Sequence, residues 1–262
     1  MYDCAGTKRI VVKVGTSTLT YDNGKINLRR FELLCKVLSD LKNSGKEVVL
    51  VTSGAIGVGV GKMNLPERPT ETRMRQALAA VGQCELMFMY DKMFTEYNNT
   101  VAQVLLTGDD VNRPISRHNV ENTFEALLSM GIIPVVNEND TVGTDELVGQ
   151  RIGDNDNLSS IVAELIKADL LVILSDIDGL YDSDPRKNPH ARRIAHVDKV
   201  TDELFALAGD AGSTRGTGGM VTKLQAARRA GDAGIACCIM SGENPSDLYT
   251  LLEGREIGTL FG

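Results

Sequence analysis

Hydrophobic residues in this chain follow two alternating patterns. Short aliphatic runs at Ile10–Val14, Val48–Val51, Val101–Leu106, Ile132–Val136, Leu170–Leu174 and Ala236–Met240 are almost unbroken by polar residues. Such runs suit strands covered on both faces of a parallel sheet. Between them, apolar residues return every three or four positions. In Leu28–Ser44 the set is Phe31, Leu34, Leu38 and Leu41, with Gly45 placed to end the helix. Glu71–Tyr97, Glu121–Met130, Asn157–Lys167, Asp198–Leu207 and Met220–Ala233 read as further helices. This alternation predicts the α/β class: a mostly parallel, doubly wound sheet in an αβα sandwich, with right-handed crossovers. Asp182–His196, holding Pro185 and Pro189, is expected to be irregular, Gly209–Gly219 a mobile loop, and Glu256–Gly262 a terminal strand or hairpin.

Composition narrows the class. A chain of 262 residues, 42% hydrophobic and 24% charged, buries roughly 70–75% of its unfolded surface and needs no metal or disulfide staple. It carries too many aliphatics to be disordered. Its apolar runs fall far short of the ~18–20 residues of a membrane span, and the N-terminus has no leader pattern. A net charge of −7 without a basic block argues against nucleic acid as partner. Cys4, Cys35, Cys84, Cys237 and Cys238 are odd in number and irregular in spacing. They read as small core hydrophobes in a reducing, cytoplasmic compartment, with Cys237 and Cys238 on opposite faces of a strand.

In a parallel sheet, ligands bind beyond the carboxyl ends of the strands, and there the sequence is rich in glycine and polar residues. Gly15-Thr16-Ser17, Thr52-Ser53-Gly54, Asn137–Asp140 and Ser175-Asp176 follow four of the runs. A separate loop holds Gly216–Met220, with Lys223 just inside the next helix. Glycines there let a backbone approach a bound group, and helix N-termini favour phosphate oxygens. Neither the GxxxxGK[ST] loop nor the GxGxxG dinucleotide signature occurs. Gly57, Gly59 and Gly61 either belong to a phosphate-binding backbone or mark close helix packing or a flexible turn. Lys13 interrupts a buried run, so it either faces water from an edge strand or meets an anion inside. Gly153–Asn157 exceeds what a helix N-cap requires; its four polar residues could bind an amino group and orient lysines.

Six segments, VVKVGTSTLT, VTSGAIGVG, PVVNENDTV, GDNDNLS, LSDIDGLYDSDPR and GTGGMVTKLQAA, together resemble the motif series of the amino acid kinase family, over essentially the whole chain. The resemblance implies ATP-dependent phosphorylation of the γ-carboxylate of L-glutamate to L-glutamyl 5-phosphate, the entry to proline synthesis. It implies Lys13, Asp156 and Lys223 as catalytic residues. Lys13, Gly15, Ser175, Asp176, Thr217, Gly218, Gly219, Met220 and Lys223 would bind ATP, and Ser53, Gly54, Asp140 and Asn155 the acid. Mg²⁺ is expected on the ATP phosphates without a dedicated protein site. Proline as feedback inhibitor and a homo-oligomer, dimer or tetramer, are family expectations, the Glu71–Tyr97 helix being apolar enough for an interface or for core. The expected organisation is one domain over residues 1–262, without the C-terminal PUA domain of many members.

The chemistry agrees with that implication. A γ-carboxylate, with a pKa of about 4.3, is already an ionised nucleophile at neutral pH, so His118, His190 and His196 need no catalytic part. Within the family, N-acetylglutamate, aspartate or a nucleoside monophosphate are the competing acceptors. The acidic Asn137–Asp140 segment suits a free α-ammonium better than a second phosphate. An inactive amino-acid sensor would bind without turnover and would have no need of both lysines.

Overall fold

The computed structural model describes residues 4–21, 25–143, 154–209 and 219–262. Its described strands are β1 (Arg9–Val14), β2 (Glu47–Val51), β3 (Val101–Leu106), β4 (Ile133–Glu138), β5 (Leu170–Ser175), β6 (Leu180–Tyr181), β7 (Arg193–Ile194), β8 (His196–Val197), β9 (Ala236–Ser241) and β10 (Thr259–Phe261). The helices are α1 (Thr16–Leu19), α2 (Leu28–Asn43), α3 (Ala55–Lys62), α4 (Thr72–Thr95), α5 (Gly108–Asn112), α6 (Pro114–Ser129), α7 (Asn155–Leu165), α8 (Asp202–Gly209), α9 (Met220–Asp232) and α10 (Asp247–Leu252).

Eight strands form one sheet in the order β3-β4-β2-β1-β5-β9-β10-β8. The six aliphatic runs are its six parallel strands, and β10 joins β9 antiparallel. Two cores flank the sheet. Ile10, Val12 and Val14 of β1 pack with α2, α4 and α10 on one face, while Val11 packs with α6, α7 and α9 on the other. Cys238 and Cys237 divide between the same two cores. The αβα layering thus follows from the two-residue period of the central strands, whose side chains are buried almost throughout.

The differences from expectation are local. Gly57, Gly59 and Gly61 lie within α3, which packs along α4. A Cβ on Gly59 would meet the Leu78 carbonyl oxygen at 2.1 Å, so close packing, not a turn, accounts for that glycine. Helix α6 starts at Pro114, well before Glu121, with the proline at its first turn. The expected irregular segment contains β7, which pairs antiparallel with β6 just before the segment, and leads into the edge strand β8. Residues 144–153 and 210–218 lie outside the described residues, and with them most of the expected mobile loop.

Candidate active site

Strand parity aims Lys13. It lies two residues beyond Val11, so its side chain points toward the layer of α7 and α9. β1 pairs with β2 on one side and β5 on the other, with Lys13 opposite Val51 and Ile173. The edge-strand alternative is therefore excluded, and Lys13 is buried.

Its partner comes from α7. The side chain of Asp154 caps that helix by accepting from the Asn157 N–H at 2.9 Å, which sets Asp156 in the first turn. One Asp156 carboxylate oxygen stands 2.5 Å from Lys13 Nζ. The other accepts from Lys223 Nζ at 3.1 Å and from the Thr222 hydroxyl at 2.9 Å. Asp156 is 1% exposed, Lys13 7% and Lys223 6%, so the cluster has little help from water.

One carboxylate between two ammonium groups leaves a net charge of +1 in this interior. Burial would push the Asp156 carboxyl up, but Lys13 and Lys223 outweigh it and hold the group below the usual carboxylate range. A cluster of that charge suits an anionic ligand.

A second polar chain runs away from this centre. Asn155, next to Asp156, points its Nδ2 at the Thr52 carbonyl (2.9 Å), Ser53 Oγ (2.7 Å) and Asn137 Oδ1 (3.0 Å). Asn137 Nδ2 donates to Gln83 Oε1 on α4 at 2.9 Å. Thr52 Oγ1 lies 2.7 Å from the hydroxyl of the fully buried Tyr90. These bonds tie the ends of β2 and β4 to α4 and α7.

Backbone conformation supplies the remaining features. Gly54, with φ of 102°, precedes α3, and a side chain there would be strained. A Cβ on Gly15 would lie 3.7 Å from Lys13 Nζ, so the backbone after β1 passes close to the cation. Gly219 caps α9 and Met220 begins it, which brings the positive end of that helix toward Lys223.

Ser175 and Asp176 stand at the end of β5, the strand beside β1, with the Ser175 hydroxyl donating to Asp176 Oδ1 at 3.0 Å. Asp140 lines a narrow pocket with Ala55, Ala79, Gln83, Leu105, Glu138, Asn139 and Thr141. The expected nucleotide residues Thr217 and Gly218, like Gly153, lie outside the described residues. Thr222 falls inside the Thr217–Lys223 segment expected at the nucleotide site, whereas Gln83 was not among the expected site residues, and nothing in the spacing of α4 singles it out from a polar position on a helix.

Among the described residues no three His, Cys, Asp or Glu side chains converge as a metal site. No described helix is long and apolar enough to cross a membrane.

Residues 8–241 match the family model described as the amino acid kinase family. Glutamate 5-kinase of Clostridium perfringens is 57% identical over 256 residues, which span 97% of this chain and 95% of that protein. Glutamate 5-kinase of Listeria monocytogenes is 56% identical over 256 residues, 97% of this chain and 93% of that protein. Among solved structures, the product complex of T. acidophilum isopentenyl phosphate kinase has a TM-score of 0.68 at 18% identity, covering 97% of this chain and all of that one. At that identity the likeness is one of fold.

Proposed function

The chain belongs to the amino acid kinase family, and from this premise we propose that it is a glutamate 5-kinase, transferring the γ-phosphoryl group of ATP to the γ-carboxylate of L-glutamate. The product is L-glutamyl 5-phosphate, an acyl phosphate on the route to proline. The observation that carries the reading is the buried Lys13–Asp156–Lys223 cluster with its net positive charge.

In the reaction a γ-carboxylate oxygen forms a bond to the γ-phosphorus while the bond from that phosphorus to the β–γ bridging oxygen breaks, and ADP leaves with that electron pair. No proton needs removing, because the acceptor is already a carboxylate. The barrier is the approach of two anions, and the groups needed are cations and oriented donors. Lys13 and Lys223 lower it by meeting charge on the transferring phosphoryl oxygens. Asp156 holds the two ammonium groups in register, and Thr222 fixes the Asp156 oxygen that Lys223 uses. Gly15, Ser175, Asp176 and residues 217–220 take the nucleotide in this reading.

Ser53, Gly54, Asn155 and Asp140 take the glutamate. The Ser53 oxygen accepts from Asn155, which leaves its hydroxyl proton for the γ-carboxylate, while Asp140 meets the α-ammonium. The donor set suits phosphate oxygens and lacks a carboxylate cluster for a resident metal among the described residues, so Mg²⁺ is assigned to the ATP phosphates. Bound with ATP, it would supply charge neutralisation at the phosphate oxygens.

The reading extends to a cytoplasmic enzyme, given five free thiols, with proline as feedback inhibitor. It also includes a homo-oligomer. Met74 and Phe88, two heptads apart on α4, are exposed together with Met63 at the end of α3, and such a face suits a second copy.

The test is ATP-dependent acyl phosphate formation, trapped as the hydroxamate, with L-glutamate, N-acetyl-L-glutamate and L-aspartate, and ADP release with UMP. Turnover confined to L-glutamate is expected. Turnover with another acceptor would keep the phosphoryl chemistry and overturn the substrate.

A further inference from the structure

One buried donor remains unused by the site as described. Gln83 is 7% exposed and its Nε2 has no hydrogen-bond partner among the described residues. Its orientation is fixed by the network and does not depend on distinguishing nitrogen from oxygen by eye. The Glu138 backbone N–H donates to Asn137 Oδ1 at 2.9 Å, and a backbone N–H can only donate. The other end of the Asn137 amide is therefore the NH₂ group, and it faces Gln83 at 2.9 Å. Gln83 must meet that donor with its carbonyl oxygen, so its own NH₂ lies on the opposite side.

A donor left unpaired in the interior is costly, because burial strips its water without returning a partner. Gln83 lines the narrow pocket that also contains Ala55 and Asp140. Its distance from the phosphoryl centre is set by a relay of side chains: Asp156 is followed by Asn155, Asn155 reaches Asn137, and Asn137 reaches Gln83. A glutamate whose γ-carboxylate lies at Lys13 and Ser53 extends its amino acid end along this relay. Asp140 would meet the α-ammonium. The α-carboxylate needs a donor, which the Asp140 carboxylate cannot supply, and one of the two Asn137 Nδ2 hydrogens is already given to Gln83.

We propose that Gln83 is a specificity-determining residue whose Nε2 donates to the α-carboxylate of the amino acid substrate. The inference rests on the glutamate reading above and deepens it. It accounts for a buried unpaired donor in the free protein as a group kept ready for substrate, and it makes α4 part of the binding site as well as of the core.

The experiment measures kcat and KM for L-glutamate, and the inhibition constant of 4-aminobutyrate, in the wild-type protein, Gln83→Leu and Gln83→Glu. 4-Aminobutyrate retains the reacting carboxylate and the amine and lacks only the α-carboxylate. The glutamate KM is expected to rise at least tenfold in Gln83→Leu and further in Gln83→Glu, with kcat within threefold and the 4-aminobutyrate constant within twofold of wild type. Gln83→Glu keeps the oxygen that Asn137 requires, so it decides the matter if Gln83→Leu does not fold.

A glutamate KM that stays within twofold in the folded variants would overturn the proposal. So would a rise matched by 4-aminobutyrate, or a fall confined to kcat, because either describes a residue that only supports Asn137. A wild-type protein that does not turn over L-glutamate would instead overturn the underlying substrate reading.

Discussion

Gly82 of α4 lies against Ala55 of α3 so closely that a Cβ on the glycine would stand 1.7 Å from the Ala55 carbonyl oxygen and 2.5 Å from the Gly59 nitrogen. The two helices therefore meet backbone to backbone. Ala55 opens α3 directly after Ser53 and Gly54, and Gly82 precedes Gln83 on α4. Packing and site geometry are thus joined at this crossing.

Gly82→Ala is expected to force the helices apart. Overpacking a close contact costs about 1–3 kcal/mol, and the displaced Ser53–Gly54 turn should raise the glutamate KM. Gly231→Ala, where a Cβ meets nothing within 4 Å, is the control and should be neutral or slightly stabilising. Urea unfolding of both variants checks this; a Gly82→Ala protein as stable as Gly231→Ala would show that the helices yield without cost.

Removing the anion between the two lysines should damage stability and rate together. Asp156→Ala leaves two buried ammonium groups facing each other, and loss of one member of a buried ionic cluster costs about 3–5 kcal/mol. Lys13→Met leaves Asp156 paired with Lys223, so its stability loss should be smaller while kcat falls by about 10²–10³, the range for a lost transition-state donor. Initial rates and chemical denaturation separate the two effects. A Lys13→Met enzyme with normal kcat and a raised KM would assign Lys13 to ground-state binding alone.

The parallel sheet could be read from the sequence because five of its six parallel strands are buried on both sides, which turns their sequences into plain aliphatic runs, and the edge strand β3 keeps the same pattern with one polar residue, Gln103. Helix α3 could not: AIGVGVGK has glycines where a helix normally shows a polar face, and the reason for Gly59 is Leu78 of α4, about 20 residues away in sequence. The same holds at the site. Lys13 stood out because a charge in a buried strand demands a partner, and its pairing with Asp156 follows once α7 is placed over β1. Gln83 did not, because its significance lies in a relay through Asn137 and Asn155 that joins three elements distant in sequence. A polar residue on a helix announces nothing until its surroundings are seen to be buried.

The pH dependence of stability follows from Asp156. Its carboxyl is held below the ordinary Asp value of about 3.9, so the cluster's contribution is complete above that pH and is lost as pH falls through the lowered value of the folded state. Glu164, held low by Arg117 and Arg229 against the upward push of burial, acts in the same direction, though its partial exposure makes it the weaker contributor. Urea unfolding from pH 7 to pH 3 should show no loss attributable to Asp156 until below about pH 4. In Asp156→Asn the acid limb should flatten. Loss of stability between pH 7 and pH 5 that disappears in Asp156→Asn would contradict the lowered carboxyl.

Asn155 is the residue at which shape and chemistry can be separated most sharply. Its Nδ2 faces three oxygens, those of Thr52, Ser53 and Asn137, and two of these, the Thr52 carbonyl and Asn137 Oδ1, cannot donate in return. Asn155→Asp keeps the size of the side chain but sets an oxygen against those acceptors, and it adds a negative charge beside Asp156. Asn155→Ala merely removes the donor and leaves room for water. Because an opposed or unsatisfied buried group costs more than an absent one, the aspartate variant should be the less stable of the two despite its closer resemblance to the native residue. It should also show the larger rise in glutamate KM, since its charge repels the approaching γ-carboxylate. Thermal unfolding and glutamate titrations of the two variants, with the ATP KM as internal reference, test the order; an aspartate variant that outperforms alanine would mean that Asn155 does not present its nitrogen to Thr52.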